Sequence, residues 1–236
     1  MGLPSTIAID GPAASGKSTI GALLAQQLGY LYFDTGVVYR AVTLEALRQG
    51  VDVQDEGALV ALARGVSIDV LPPGENVADG RQYTVLLDGR DVTWEIRSPE
   101  VEAAVSPVSA HPKVREVLTP QQRRIGERGR VVMVGRDIGT VVMPHADLKI
   151  YLDASAAERA RRRYRERLAR GEATDYEAEL RAVENRDRLD SGRKAAPLRR
   201  AEDAEYVDTE GLSIEEVLER VLSFVHRSAP RYCEAH

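Results

Sequence analysis

The stretch Gly11-Pro12-Ala13-Ala14-Ser15-Gly16-Lys17-Ser18 fits the spacing G-x-x-x-x-G-K-[ST]. Glycine at both ends lets a backbone bend closely around phosphate oxygens, so that a row of N–H groups points at them. A helix opening at Gly16 or Lys17 would add the partial positive charge of its N-terminus. Lys17 has the reach for β- and γ-phosphates, and the Ser18 hydroxyl suits a Mg²⁺ ion held between them. The flanks agree. Apolar Ile7-Ala8-Ile9 precedes the loop, and Ile20, Leu23, Leu24 and Leu28 follow Thr19 at helical spacing. These residues predict a nucleoside triphosphate site. They leave open where the terminal phosphate goes.

Two signatures of other phosphate-loop proteins are missing. There is no N-K-x-D guanine motif, and the apolar run Val131–Val134 ends in Gly135-Arg136-Asp137 rather than Asp-Glu. Arginines instead stand where a second anion could bind. Arg40 follows the second strand, in DTGVVYR, and Arg136 follows a central one. Ligands of open α/β sheets sit at the carboxyl ends of strands, and a guanidinium grips phosphate with two parallel bonds. The segment from Glu158 to Glu172 carries seven arginines. From its residues alone it reads as a solvated face with pairs such as Glu158–Arg162, or as an RNA-binding helix. His111, His145, His226 and His236 have no metal-ligand spacing.

The elements needed to hold these residues can be read from periodicity. Apolar runs at 6–10, 30–33, 131–134, 148–152 and 205–207 predict strands. Helices are expected at 17–28, 37–49, 55–64, 100–110, 112–128, 156–169, 176–190 and 213–225. The helix from Pro112 should be interrupted or capped near Pro120. Ser213 and Glu216 form a capping-box pattern. Strands alternating with helices predict a parallel α/β sheet. Between 66 and 105 the pattern becomes antiparallel, with a hairpin signal at Asp88-Gly89. Trp94 is expected to pack this insert against the core. The expected division is a core of 1–65 and 106–236, an insert of 66–105, and an arginine-rich segment of 156–172 within the core.

Composition narrows the function classes. Of 236 residues, 43% are apolar and 29% charged, enough for one compact core with a small insert. A net charge of −5 disfavours a general nucleic-acid binder. The single cysteine, Cys233, cannot form an intramolecular disulfide, which suits a reducing compartment. No run is long and apolar enough to span a bilayer. The expectation is a cytoplasmic protein with no membrane and no nucleic-acid partner.

Several longer segments resemble the bacterial cytidylate kinases, a family of nucleoside monophosphate kinases. They are DTGVVYRAVT (34–43), RDVTWEIRSPEVEAAVSPVSAHPKVRE (90–116), GRDIGTVVMP (135–144), KIYLDASAAERARRR (149–163) and RDRLDSGRKAAPL (186–198). The resemblance implies a phosphate-loop fold: a doubly wound core around a five-stranded parallel sheet, a small antiparallel insert binding the nucleoside monophosphate, and a short lid. It implies ATP and Mg²⁺ as cofactors, CMP and dCMP as acceptors, and a monomer. ATP would lie on Gly11, Pro12, Ala13, Ala14, Ser15, Gly16, Lys17, Ser18 and Thr19, with Mg²⁺ on Ser18. The acceptor phosphate would be held by Thr35, Arg40, Arg136 and Arg193, the base by Ser106, Arg115 and Asp137, and the ribose by Arg186 and Asp190. Lys17, Arg136 and Arg193 would be catalytic.

The chemistry of the base agrees with that assignment. Cytosine presents a 4-amino donor beside acceptors at N3 and O2. A carboxylate such as Asp137 can accept from the amino group, and Arg115 can donate to the acceptors. Uracil reverses the pattern at positions 3 and 4 and would leave buried groups unpaired. No general base is needed, because the attacking phosphate oxygen is already an anion. The sequence departs from the family pattern in three places: Thr35 where serine is usual, Val134 where an acid commonly precedes G-R-D, and His145 where Pro-Asp is common.

Overall fold

The computed structural model describes residues 2–75, 77–193 and 196–228. Cys233 and His236 lie outside them. The chain opens with β1 (Thr6–Asp10), buried throughout. It then runs through α1 (Lys17–Leu28), β2 (Leu31–Asp34), α2 (Gly36–Gln49) and α3 (Glu56–Gly65). Gly29 and Gly50 end α1 and α2 in the left-handed conformation that glycine adopts without strain. The Asp55 carboxylate caps α3 by accepting from the Ala58 amide at 3.0 Å.

Strands β3 (Ile68–Leu71), β4 (Thr84–Leu87) and β5 (Arg90–Asp91) form the antiparallel insert. Asp88 and Gly89, with φ of 50° and 79°, make the expected tight turn. Helix α4 (Pro99–Ala110) follows, so the expected boundary at 105/106 falls inside a continuous helix. Next come α5 (Pro112–Gly126), β6 (Val131–Val134) and β7 (Leu148–Asp153). The last elements are α6 (Ala156–Ala169), α7 (Tyr176–Ser191), β8 (Glu205–Asp208) and α8 (Ile214–Ser228).

The main sheet has five parallel strands in the order β2-β6-β1-β7-β8. Successive residues of a strand point to opposite faces, and β6 shows what covers each. A Cβ on Gly21 of α1 would fall 2.5 Å from the Val134 side chain, and one on Gly126 of α5 would fall 2.5 Å from Met133. Helices therefore lie on both faces, which is the doubly wound arrangement. The capping box forms as its spacing predicts. Glu216 N donates to Ser213 Oγ at 3.1 Å, and Ser213 N to Glu216 Oε2 at 2.8 Å.

Two local expectations are corrected. Helix α5 passes through Pro120 without interruption. Proline removes the bond to the carbonyl one turn earlier, at Glu116. Both residues are exposed, so water can satisfy that carbonyl. Trp94 does not pack the insert on the core, since it is 46% exposed. Its indole Nε1 donates to Asp79 Oδ2 at 2.7 Å, and Arg97 stacks on the ring at 5.1 Å. It pins the loop between β3 and β4. Contact with the core runs instead through Tyr83, buried against Tyr32 at 5.6 Å between ring centres.

Candidate active site

The phosphate loop joins β1 to α1 at the carboxyl edge of the sheet. Gly11 takes φ of 148°, and a Cβ there would meet the Leu152 carbonyl at 2.0 Å. Only glycine fits, because β7 presses on the loop from behind. Gly16 caps α1 with φ of 93°. Lys17 is buried, and its Nζ donates to the Pro12 carbonyl at 2.5 Å and to Ser15 Oγ at 3.3 Å. Burial, helped by the nearby Arg136 charge, holds its pKa well below the ordinary lysine value. A phosphate arriving in the loop would restore the favourable environment for that ammonium.

Asp10, the last residue of β1, accepts from the amides of Ile138 and Gly139 at 2.8 and 2.7 Å. This bond fastens the Arg136-Asp137 segment beside the phosphate loop. Burial pushes the Asp10 carboxyl up to about 6.

A cavity of about 500 Å³ opens in front of the loop. Ala14, Gly16, Lys17, Ser18 and Thr19 line one side. Gly11, Pro12, Ala13 and Ser15 are buried and do not line it. The other side carries Thr35, Arg40, Arg115, Arg136, Asp137, Arg186 and Arg193. Thr35 Oγ1 donates to the Val134 carbonyl at 3.0 Å. Arg40, on the first turns of α2, pairs with Glu102 at 2.6 Å.

One buried ion pair and one carboxylate–arginine cluster organise the wall opposite the phosphate loop. Arg115 Nη2 meets Asp137 Oδ2 at 2.6 Å, while its Nη1 donates to the Ser109 carbonyl at 3.3 Å. The Arg115 guanidinium also lies 5.2 Å from the centre of the Tyr39 ring, and its Nε is buried without a partner. The second cluster centres on Asp190, which is fully buried. Its carboxylate gathers Arg193 at 2.6 Å, Arg136 at 3.0 Å and Arg186 at 3.4 Å. Burial alone would raise the Asp190 pKa, but Arg136, Arg193 and Arg186 outweigh it and hold the group below the usual carboxylate range.

Asp190 and Ser106 do not line the cavity. Ser106 Oγ accepts from Arg186 Nη1 at 3.1 Å, so it sits behind an arginine rather than facing a base.

The arginines of α6 divide by position. Arg162 and Arg163 line the cavity. Arg162 is braced by Thr209, through Oγ1 at 3.0 Å and the carbonyl at 2.6 Å, and Arg163 by Glu179 at 3.1 Å. Arg159 is buried beneath the loop, and Arg161 and Arg165 do not reach the cavity.

Asp10, Asp34 and Tyr39 also belong to this setting and escaped the sequence reading. Asp34 ends β2 beside Val134, lines the cavity and accepts from the Gly36 amide at 2.9 Å. A carboxylate closing an apolar strand was the available signal for both aspartates. Tyr39 carries no such signal, since buried side chains surround it along α2.

Among the described residues no group of three or more His, Cys, Asp or Glu side chains could hold a metal. Hard oxygen donors do stand in the cavity wall, namely the Ser18 hydroxyl and the Asp34 carboxylate. That donor set suits Mg²⁺, which keeps several waters and takes further oxygens from phosphates. No helix among the described residues is long and apolar enough to cross a membrane.

Residues 7–227 match the family model described as cytidylate kinase. A cytidylate kinase of Chloroflexus aggregans is 62% identical over 81% of this chain and 82% of its own length. A cytidylate kinase of Herpetosiphon aurantiacus is 53% identical over 95% of this chain and 96% of its own. One from Roseiflexus castenholzii is 54% identical over 94% of both.

Proposed function

The chain belongs to the cytidylate kinase family, and from that premise we propose that it transfers the γ-phosphoryl of ATP to CMP and dCMP, with Mg²⁺, giving CDP or dCDP and ADP. One observation supports the reading most. A single cavity holds the phosphate loop on one wall and, on the other, a carboxylate–guanidinium pair matched to cytosine beside arginines suited to a phosphate.

The family resemblance and the placement of these side chains around one cavity support the following roles. Triphosphate oxygens lie on the loop amides and Lys17. The acceptor phosphate takes Arg40, Arg136 and Arg193, with Thr35 at the start of α2. Asp137 accepts from the cytosine amino group, and Arg115 donates to the ring acceptors from its unpartnered Nε. Arg186 and Asp190 stand toward the ribose. Since Asp190 lies beneath three arginines, its contact requires that they turn toward the incoming phosphate. Ser106 supports Arg186. Ser18 and Asp34 would hold Mg²⁺, which when bound neutralises charge on the phosphate oxygens.

Catalysis is then positioning and charge neutralisation, with no proton to abstract. Lys17, Arg136 and Arg193 bracket the transferring group, joined from the lid (156–172) by Arg162 and Arg163. The insert (66–105), which reaches the cavity wall at Val105, is proposed to close over the acceptor held by those residues. Action in the cytoplasm on pyrimidine nucleotides, as a monomer and without a nucleic-acid partner, goes with this reading. One cysteine among 236 residues suits a reducing compartment.

The deciding experiment measures ADP release from ATP and Mg²⁺ with CMP, dCMP, UMP, AMP and GMP offered separately. Turnover with CMP and dCMP and little with the rest is expected. Preference for UMP or AMP would keep the kinase and overturn the base assignment. No turnover with any acceptor would overturn the reading.

A further inference from the structure

Arg159 of α6 lines no part of the cavity, yet its buried guanidinium is almost fully engaged. Nε donates to the Ala154 carbonyl just beyond β7, at 2.9 Å. Nη1 donates to the Ala13 carbonyl of the phosphate loop at 3.1 Å. Nη1 and Nη2 then grip the Asp187 carboxylate of α7 with two bonds, at 3.0 and 2.5 Å. One side chain therefore joins the loop, the lid helix and α7.

Each end of this connection leads to one nucleotide. In a trans peptide the carbonyl and the following N–H point in opposite directions. Turning the Ala13 carbonyl out onto Arg159 aims the Ala14 N–H the other way, and Ala14 lines the cavity. Arg159 thus orients one of the donors that would hold triphosphate. At the other end, Asp187 stands one helical turn before Asp190, the carboxylate that gathers Arg136, Arg186 and Arg193. Asp187 and Asp190 share α7, so a restraint placed on Asp187 reaches the carboxylate that gathers those arginines.

We propose that Arg159 and Asp187 form a tie that couples the two nucleotide sites, so that a triphosphate in the loop tightens binding of the acceptor monophosphate. The inference rests on the two-nucleotide reading above. A phosphate drawing the Ala14 N–H inward firms the opposite carbonyl against Arg159. The two-bonded grip on Asp187 passes that restraint to α7. Without a phosphate the Ala13–Ala14 peptide is held from the Arg159 side alone, and a phosphate on the Ala14 N–H holds the same peptide from the other side as well. Coupling between equilibrium binding steps is reciprocal, so CMP must tighten ATP binding by the same factor. Arg159 and Asp187 are positioning residues, since neither faces the cavity.

The test is calorimetric titration of CMP with and without β,γ-methylene-ATP and Mg²⁺, on the native chain, Arg159→Lys, Asp187→Asn and the double variant. The native ratio of CMP affinities should be about fivefold or more. In each single variant it should fall toward one, while CMP affinity without the analogue changes by less than about threefold. The double variant should show no further loss, because both changes cut the same link. A ratio unchanged in either variant, a native ratio of one, or loss of CMP affinity in the variants even without the analogue would each overturn the tie. Arg159→Lys keeps the buried charge and decides the matter should Asp187→Asn melt early. Native protein that binds neither ligand would overturn the two-nucleotide reading itself, an outcome distinct from failure of the tie alone.

Discussion

Asp137 and Arg115 meet in the cavity wall opposite the phosphate loop as a buried pair at 2.6 Å. Removing either side chain outright would leave the other charge without compensation, a loss of about 3–5 kcal/mol that would mix folding with recognition. Asp137→Asn avoids this, because the amide oxygen can still accept from Arg115. Its nitrogen, however, now offers a donor where cytosine also offers one. Uracil, with a carbonyl at position 4, suits that donor. The expected result is a fall of about 10- to 150-fold in kcat/KM for CMP, from losing a bond to a charged acceptor of about 1.5–3 kcal/mol. UMP should lose far less or gain, and ATP affinity should stay near its native value. Steady-state kinetics with both acceptors check this. Equal losses with CMP, UMP and ATP would mean that Asp137 only supports the fold. The Arg115–Asp137 pairing is not visible in the chain order, nor is the reach of Arg136 to Asp190, whereas Arg186 and Arg193 stand at i−4 and i+3 from Asp190, a spacing that by itself allows an ion pair. Arg115 and Asp137 come from different elements, and only packing of α5 against β6 brings them together.

At the scale of elements, what local chemistry controls was legible. The strands, the phosphate loop, the Asp88-Gly89 turn and the Ser213–Glu216 box all depend on residues near one another in sequence. Misreadings arose where the outcome depends on which side faces water. Pro120 breaks no helix because its missing bond falls on a solvated flank. Trp94 stays outside because Asp79 and Arg97 occupy its polar and flat surfaces. The same distinction sorts α6, whose arginines look alike in sequence. Its 3.6-residue period turns Arg162 and Arg163 toward the cavity and carries Arg161 and Arg165 elsewhere. Arg162→Ala and Arg163→Ala should each lower kcat by about 10²-fold or more, as removal of a transition-state donor does. Arg161→Ala and Arg165→Ala should stay within about twofold, as exposed charges do. Comparing kcat across the four variants reads the result. Equal losses in all four would make the helix a general electrostatic cover rather than a source of two aimed groups.

For the whole molecule, the distribution of charge matters more than its sum. The chain carries a net charge of −5, yet its cavity is lined by Lys17 and seven arginines against Asp34, Asp137 and Glu166. The acidic exterior repels polyanions such as RNA over large areas, while the recessed basic wall concentrates small phosphates. The net charge alone disfavoured a nucleic-acid partner, but only the fold, by bringing strand ends, α6 and α7 to one edge, shows where the positive field collects. This arrangement predicts a salt dependence that separates steering from contact. Raising ionic strength from about 20 to 300 mM shortens the screening length from about 20 Å to below 10 Å. The kcat/KM for CMP should then fall by about fivefold or more, since the dianion is drawn in from beyond that distance. Binding of cytidine, which lacks the phosphate but keeps the base contacts, should barely change over the same range. Stopped-flow or initial-rate kinetics for CMP, with calorimetry for cytidine, make the comparison. Equal salt sensitivity for both would place the dependence in the buried Arg115–Asp137 pair and not in the field of the cavity. Insensitivity of both would mean that the acidic exterior cancels the basic wall before a ligand reaches it.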